Sequence, residues 1–283
     1  MHRVGAFALA AALLALSACT PATARGDFAV DVADCTDAAL VFARGSSNDV
    51  GAGSARMLEE LFVDALGELD PTLSTRFVEL GDLDGDGVLD EGGYPAPGFA
   101  GYFGIDTIGD PERELFLIGA YNESTRLGGD ELVAVIAAMH SMCPDQAVVV
   151  VGESQGADAA MKGLARMPAP YLASIAAVHV FGDPGLVVGP WMVGAGTSVP
   201  SGHGILGPRV PYVPEVLEGR TTSWCGRFDG LCTGQIWFSI LDAVDECDEH
   251  AELPICSRRH VDYDLWAFGP AMRQAAGSVT AVR

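Results

Sequence analysis

The sequence predicts an α/β fold, a small three-layer sandwich in which a central parallel sheet is covered by helices on both faces. Three observations carry that expectation. Short apolar runs alternate with amphipathic helical stretches along the chain. The run Ala147 to Val151 has no polar position, as a strand covered on both faces requires. A glycine-flanked serine follows directly, where that strand turns into an alanine-rich helix.

Taken in order, Ala38 to Ala43 is an apolar strand stopped by Arg44-Gly45-Ser46-Ser47, which reads as a loop. Gly53 to Leu69 carries Leu58, Leu61, Phe62, Ala65, Leu66 and Leu69 at helical spacing. Thr75 to Leu80 alternates as a second strand, and Leu127 to Met142 repeats apolar residues at helical intervals with Pro144 just beyond. After the valine strand come a helix at Ala157 to Met167 and an apolar strand at Ile175 to Phe181. A strand at Arg220 to Cys225 and helices near Gln235 to Ala243 and Asp262 to Ala275 complete the series. Two segments break the rhythm. Pro184 to Gly219 is rich in Gly and Pro and too long for an ordinary connection, and Thr233 to Arg259 contains an acidic excursion.

Composition excludes several classes. With 49% apolar and 19% charged residues, the chain can bury a core despite a formal charge of -22, so it is not a disordered acidic chain. Nucleic-acid binding needs clustered cations, whereas the only lysine is Lys162 and the arginines are scattered apart from Arg258 and Arg259. No collagen-like period and no persistent apolar heptad is present.

The N-terminus reads as a targeting segment. A basic start at His2 and Arg3 precedes an apolar run, Val4 to Leu16, shorter than the ~20 residues that span a bilayer. Leu16-Ser17-Ala18-Cys19 looks like a bacterial lipoprotein signal, which gives a signal peptide over 1–18, lipidation at Cys19 and a tether over 19–34. The rival is ordinary secretion with cleavage after Ala22-Thr23-Ala24. Either way the domain at 35–283 is exported, and the only membrane attachment expected is the N-terminal lipid. Removing Cys19 leaves six cysteines in an oxidising compartment. Closeness in sequence favours Cys225 with Cys232 and Cys247 with Cys256, the latter closing an insertion over 233–259, which leaves Cys35 for Cys143. No closely spaced cysteine pair suggests zinc.

The serine after the valine strand lies in Gly152-Glu153-Ser154-Gln155-Gly156, a G-x-S-x-G. Flanking glycines permit a tight turn that exposes the hydroxyl, and the following helix aims free N–H groups at the place where an oxyanion would form. A serine nucleophile needs a base, held in turn by an acid, in the chain order Ser, Asp or Glu, His. His179 sits inside an apolar strand and reads as a core residue; His203 and His250 read as solvated. His260, at the head of the last helix, is the candidate base. For the acid, Asp229 lies between Cys225 and Cys232, where a short disulfide loop would fix its carboxylate; Asp183, before Pro184, is its rival.

These motifs together resemble the cutinase family. The resemblance rests on Ala43-Arg44-Gly45-Ser46, Cys143-Pro144, the serine motif, Phe181-Gly182-Asp183-Pro184, the Cys225 to Cys232 loop and His260-x2-Tyr263, in that order. It implies a small α/β-hydrolase that hydrolyses carboxylic esters without a catalytic cofactor. Carried over residue by residue, it implies Ser154 as nucleophile, His260 as base, Asp229 as orienter, and Ser46 with the Gln155 N–H as oxyanion hole. The Cys35 to Cys143 and Cys225 to Cys232 bridges match the family's too. Two features depart from its pattern: Glu153 stands where a tyrosine is usual, and the interval from Asp229 to His260 is long. Glu153, if it points at the site, would raise the His260 pKa. The expected partner is an ester substrate, a lipid, a polyester or an acetylated sugar, acted on by a monomer. The apolar residues between Leu186 and Val213 would line the acyl site or simply cover the core. Other readings are an acetylxylan-type esterase and a non-catalytic, calcium-stabilised surface lipoprotein.

A second pattern is independent of the first. Asp82, Asp84, Asp86 and Asp90 occupy positions 1, 3, 5 and 9 of a loop with Gly87 at 6, and Val88 supplies the carbonyl position between them. This resembles calcium loops of EF-hand and dockerin-like repeats, although position 12 is Gly93. The expectation is a structural Ca2+ at 82–91, with a solvated acidic turn as its rival.

Overall fold

Strand β1 (Ala38–Ala43) has only apolar side chains and buries all of them, so it can be paired on both edges and covered on both faces. It pairs in parallel with β2 (Thr75–Glu79) on one side and β3 (Ala147–Glu153) on the other. Beyond β3 the sheet continues through β4 (Ile175–Phe181), β6 (Thr221–Trp224) and the two-residue β5 (Met192–Val193), giving the order β2-β1-β3-β4-β6-β5. Every pairing is parallel. The computed structural model describes residues 35–46, 48–51, 53–97, 111–188, 192–194, 197, 202–209, 213–227, 229–234 and 263–283, with 111–118 and 192–193 described by backbone alone.

Alternation along the strands sorts the core into two layers. Ala39, Val41, Ala43, Val148 and Val150 face helices α2 (Pro111–Met142) and α3 (Gln155–Arg166), whose Leu132, Ile136, Met161 and Leu164 fill that side. Leu40, Phe42, Val149, Val151 and Phe181 face α1 (Ser54–Leu69) and the C-terminal helix Phe268–Val282, which supply Leu58, Phe62, Leu66, Met272 and Val279. Each such side chain contributes about 1.5–3 kcal/mol through burial. The three-layer sandwich expected from the sequence is the one observed.

Helix α2 begins at Pro111, well before the predicted Leu127, and runs through Gly128 and Gly129. Those glycines read as breakers in the sequence, yet here they admit close neighbours. A Cβ on Gly129 would stand 3.0 Å from the Gly163 nitrogen of α3, and one on Gly128 would stand 2.7 Å from the Tyr94 ring. The short helix α4 (Ala169–Leu172), β5 and a 3-10 helix at Glu215–Arg220 were not expected; each is too short to impose a periodicity. No helix among the described residues is long and apolar enough to cross a membrane.

Two disulfides are present, as expected. Cys35–Cys143 ties the chain just before β1 to the end of α2, and Cys225–Cys232 closes a loop after β6. The lipidation site Cys19 with its signal and tether, the helix near 235–243, the Cys247–Cys256 bridge and most of its insertion, and His260 lie outside the described residues.

The topology also fixes where a site can form. From β1 the chain steps outward to β2 and then recrosses to β3 on the far side of β1. The connections leaving the C-terminal ends of β1 and β3 therefore diverge and leave a crevice between them, where ligands of open parallel sheets bind.

Candidate active site

Ser154 stands at that crevice, at the end of β3 and the start of α3, with φ 53° and ψ −118°. Only one other non-glycine among the described residues, Ala96, has positive φ. Such a conformation costs on the order of 1–3 kcal/mol and is held by its surroundings. The Ser154 N–H donates to the Phe181 carbonyl at 2.7 Å, and the flanking glycines let neighbouring backbone press close. A Cβ on Gly152 would lie 2.7 Å from the Ala157 Cα, and one on Gly156 would lie 2.0 Å from the Ala43 carbonyl oxygen. Gly156→Ala is therefore expected to cost more than about 3 kcal/mol in urea unfolding, because the colliding atoms belong to β1 itself. A loss below about 1 kcal/mol would show that the α3–β1 approach can relax.

The loop after β1 forms the opposite wall. Ser46 donates its hydroxyl to Gln155 Oε1 at 3.1 Å, tying that loop to the residue after Ser154. A Cβ on Gly45 would stand 3.5 Å from Ser154 Cβ and 3.6 Å from Glu153 Cδ. The Glu153 side chain is thus tucked under Gly45 and buried rather than open to solvent. Arg44, which the motif placed in the loop, is itself buried. Its guanidinium donates to the carbonyls of Asn48 at 3.1 Å, Leu80 at 2.5 Å and Tyr94 at 2.7 Å, and the Tyr94 hydroxyl donates back to the Arg44 carbonyl at 3.1 Å.

Beyond β6, Asp229 caps α5 (Gly230–Thr233) inside the Cys225–Cys232 loop and is fully buried. Oδ1 accepts from the N–H groups of Leu231 and Cys232 at 2.9 and 3.3 Å, and Oδ2 accepts the Tyr263 hydroxyl at 2.6 Å. Burial and the Asp229 charge push the Tyr263 hydroxyl well above the usual phenol range, so it remains a donor. Tyr263 also accepts the Gly226 N–H at 3.2 Å. In the sequence Tyr263 is legible only as part of the His260-x2-Tyr263 motif.

Asp183 has a different environment. Arg209 forks it, Nη1 to Oδ2 at 3.0 Å and Nη2 to Oδ1 at 3.1 Å, while the Gly185 N–H donates to Oδ1 at 2.8 Å. Arg209 also pairs with Asp158 of α3, which Lys162 reaches at 2.6 Å. This network fastens the Gly/Pro-rich stretch to α3. Within that stretch Leu186 and Val213 are buried in the core, while Val188 and Leu206 are exposed.

His179 is a core residue, as expected. It accepts the Trp224 indole N–H on Nδ1 at 3.3 Å, and burial lowers its pKa from the model-compound 6.5 to about 3. Between those values the unfolded chain binds a proton that the native state does not, so stability falls on acidification from pH 6.5 towards 3, by at most about 1.4 kcal/mol per pH unit from this group. His179→Asn keeps an acceptor for Trp224 and is expected to flatten that segment of a stability-against-pH curve. An unchanged slope would assign the dependence to other groups. His203 is exposed, with Nδ1 2.8 Å from the Gly204 carbonyl.

The acidic loop is partly assembled as expected. One carboxylate oxygen each from Asp82, Asp84 and Asp86 lies within 4.8 Å of the others, while Asp90 turns Oδ2 to the Leu83 N–H at 2.8 Å. Val88 is exposed and donates its N–H to Asp86 Oδ1 at 2.7 Å. At the neck, Glu131 of α2 accepts from the N–H groups of Gly81 at 2.8 Å and Tyr94 at 2.7 Å. Burial pushes its carboxyl up to about 7 against those two bonds.

A strained serine at the switch point of a parallel, helix-covered sheet defines a serine hydrolase of the α/β-hydrolase fold. A family model described as Cutinase matches residues 110–240, which include Ser154 and Asp229. Carboxylesterase Culp1 of Mycobacterium tuberculosis, and that of Mycobacterium bovis, is 25% identical over 200 residues, 71% of this chain and 70% of the relative. In fold, an acetylxylan esterase superposes with a TM-score of 0.58 at 16% identity, covering 87% of this chain and 100% of its own. The catalytic core domain of acetyl xylan esterase from Trichoderma reesei gives 0.56 at 19% identity, covering 88% and 100%. Over these residues the chain is similar to the cutinase and carboxylesterase family, a likeness consistent with carboxylic ester hydrolysis.

Proposed function

We propose that the protein is an exported serine esterase in which Ser154 attacks the ester carbonyl, His260 takes its proton, and Asp229 orients the imidazole. The Ser154 oxygen bonds to the carbonyl carbon, and the alcohol leaves with the proton held by His260. Water then cleaves the acyl-enzyme, and its proton passes through His260 back to Ser154. The Gln155 N–H at the start of α3 and Ser46 stabilise the oxyanion; Ser46 does so by turning its hydroxyl from Gln155 Oε1 towards substrate. The observation that carries this reading is the left-handed Ser154 opposite the Ser46–Gln155 contact. Asp229 is preferred to Asp183 because Tyr263 joins it to the segment bearing His260, whereas Arg209 occupies Asp183.

Export fits the two disulfides, which persist in oxidising compartments. Cys19 is proposed as a lipid anchor, Cys247–Cys256 as a third bridge, and the esterase as a monomer. The loop with Asp82, Asp84, Asp86, the Val88 carbonyl and Asp90 is proposed to take Ca2+. Reaction with a fluorophosphonate tests the central claim: the label is expected on the peptide bearing Ser154, and an unlabelled protein would overturn it. Hydrolysis of nitrophenyl esters of graded acyl length then defines the substrate.

A further inference from the structure

Asp82 is more than nine-tenths buried, and its Oδ1 has neither solvent contact nor a hydrogen-bond partner. Its other oxygen accepts the Gly87 N–H at 3.1 Å. A buried, unsatisfied carboxylate oxygen costs free energy unless a donor or a cation meets it. The carboxylates of Asp84 and Asp86 share a 4.8 Å cluster with it. Three hard oxygens of like charge converging on one point suit a calcium ion and repel one another without one. A cavity of about 480 Å³ beside the loop, lined by Asp82, Asp84, Arg76 and Glu79 among others, gives a hydrated ion access.

The neck of this loop is held by two groups that reach it from other elements. Glu131 binds the Gly81 and Tyr94 N–H groups, and Arg44 binds the Leu80 and Tyr94 carbonyls. Arg44 precedes Gly45 and Ser46 directly, and its own carbonyl both accepts the Tyr94 hydroxyl and lies 2.5 Å from where a Gly156 Cβ would be. The loop and the wall of the crevice opposite Ser154 thus share one guanidinium. A shift of Leu80 or Tyr94 moves Arg44, and Arg44 has no slack against α3.

We propose that a divalent cation, Ca2+ by its oxygen ligands, binds Asp82, Asp84 and Asp86 and acts as a positioning ion for ester hydrolysis. By ordering the loop it sets Arg44, and through Arg44 the placement of Gly45 and Ser46 beside Ser154. This rests on the serine-esterase reading above. It places the ion's effect on transition-state stabilisation, so kcat responds and KM does not. With three carboxylates, two of them exposed, the affinity expected is that of extracellular modules, a Kd on the order of 0.1–1 mM.

The test uses the full-length protein stripped with EGTA and titrated with CaCl2. Isothermal calorimetry is expected to show one site, the melting temperature to rise, and kcat for a nitrophenyl ester to rise about fivefold or more at constant KM. Asp84→Asn, at an exposed position, is expected to weaken calcium binding at least tenfold and to shift the activation curve by the same factor. Arg44→Lys is expected to keep calcium binding by calorimetry while losing the kcat response. Absence of binding overturns the proposal, as does binding that raises the melting temperature and leaves kcat unchanged. Hydrolysis at equal rates with and without calcium overturns the proposal and leaves the esterase intact. No hydrolysis and no fluorophosphonate labelling in either state overturns the esterase reading itself, and the proposal with it.

Discussion

Ser154→Ala is expected to lower kcat for a short-chain nitrophenyl ester by about 10⁴-fold or more, since what remains without a nucleophile is only binding and oxyanion stabilisation. The same substitution is expected to leave the melting temperature within a few degrees of the parent. Alanine keeps the Cβ that sits under Gly45, and the contact to the Phe181 carbonyl comes from the backbone N–H. The conformational strain at φ 53° is common to both residues. Loss of activity with an unchanged unfolding transition would separate chemistry from folding at this position. Retained hydrolysis would remove Ser154 from the mechanism.

The two aspartates are expected to divide function from stability. Asp229→Asn should lower kcat by about 10³- to 10⁴-fold, because an amide in place of the carboxylate cannot stabilise an imidazolium or fix its tautomer. Its structural cost is smaller, since the amide oxygen can still accept the Leu231 N–H that Oδ1 accepts now. Asp183→Asn should do the opposite. It strips the charge from a buried fork and leaves Arg209 with an incomplete counter-ion, a change that costs about 3–5 kcal/mol when such a pair is broken. The folded fraction should keep a kcat close to that of the parent. Urea unfolding and ester kinetics on both variants check the division, and a reversed pattern would transfer the role of acid to Asp183.

How much of this the sequence disclosed depends on the range of the interactions involved. Strands β1, β3 and β4 are legible because full burial on two faces leaves an unbroken apolar run. Ser154 is legible because a tight strand-to-helix turn demands glycines at fixed offsets. The first half of α2 is not, because Gly128 and Gly129 look like a stop until α3 and Tyr94 are seen to need the space. Arg44 illustrates the same limit: a loop arginine reads as solvated, and its burial depends on carbonyls of Leu80 and Tyr94 far along the chain. Between Asp183 and Asp229 the local sequence favours the residue in the short disulfide loop, but it does not show what each carboxylate meets. Two distant side chains separate them, Arg209 on one and Tyr263 on the other.

The Tyr263 hydroxyl that grips Asp229 comes from beyond the last strand of the sheet. During synthesis and export, domains form as their segments become available. All six described strands precede this residue, so the sheet and the serine turn can assemble while Asp229 still lacks the contact that steadies it. The grip on Asp229 then forms last, when the segment from Tyr263 docks and the helix Phe268–Val282 seals the face beneath it.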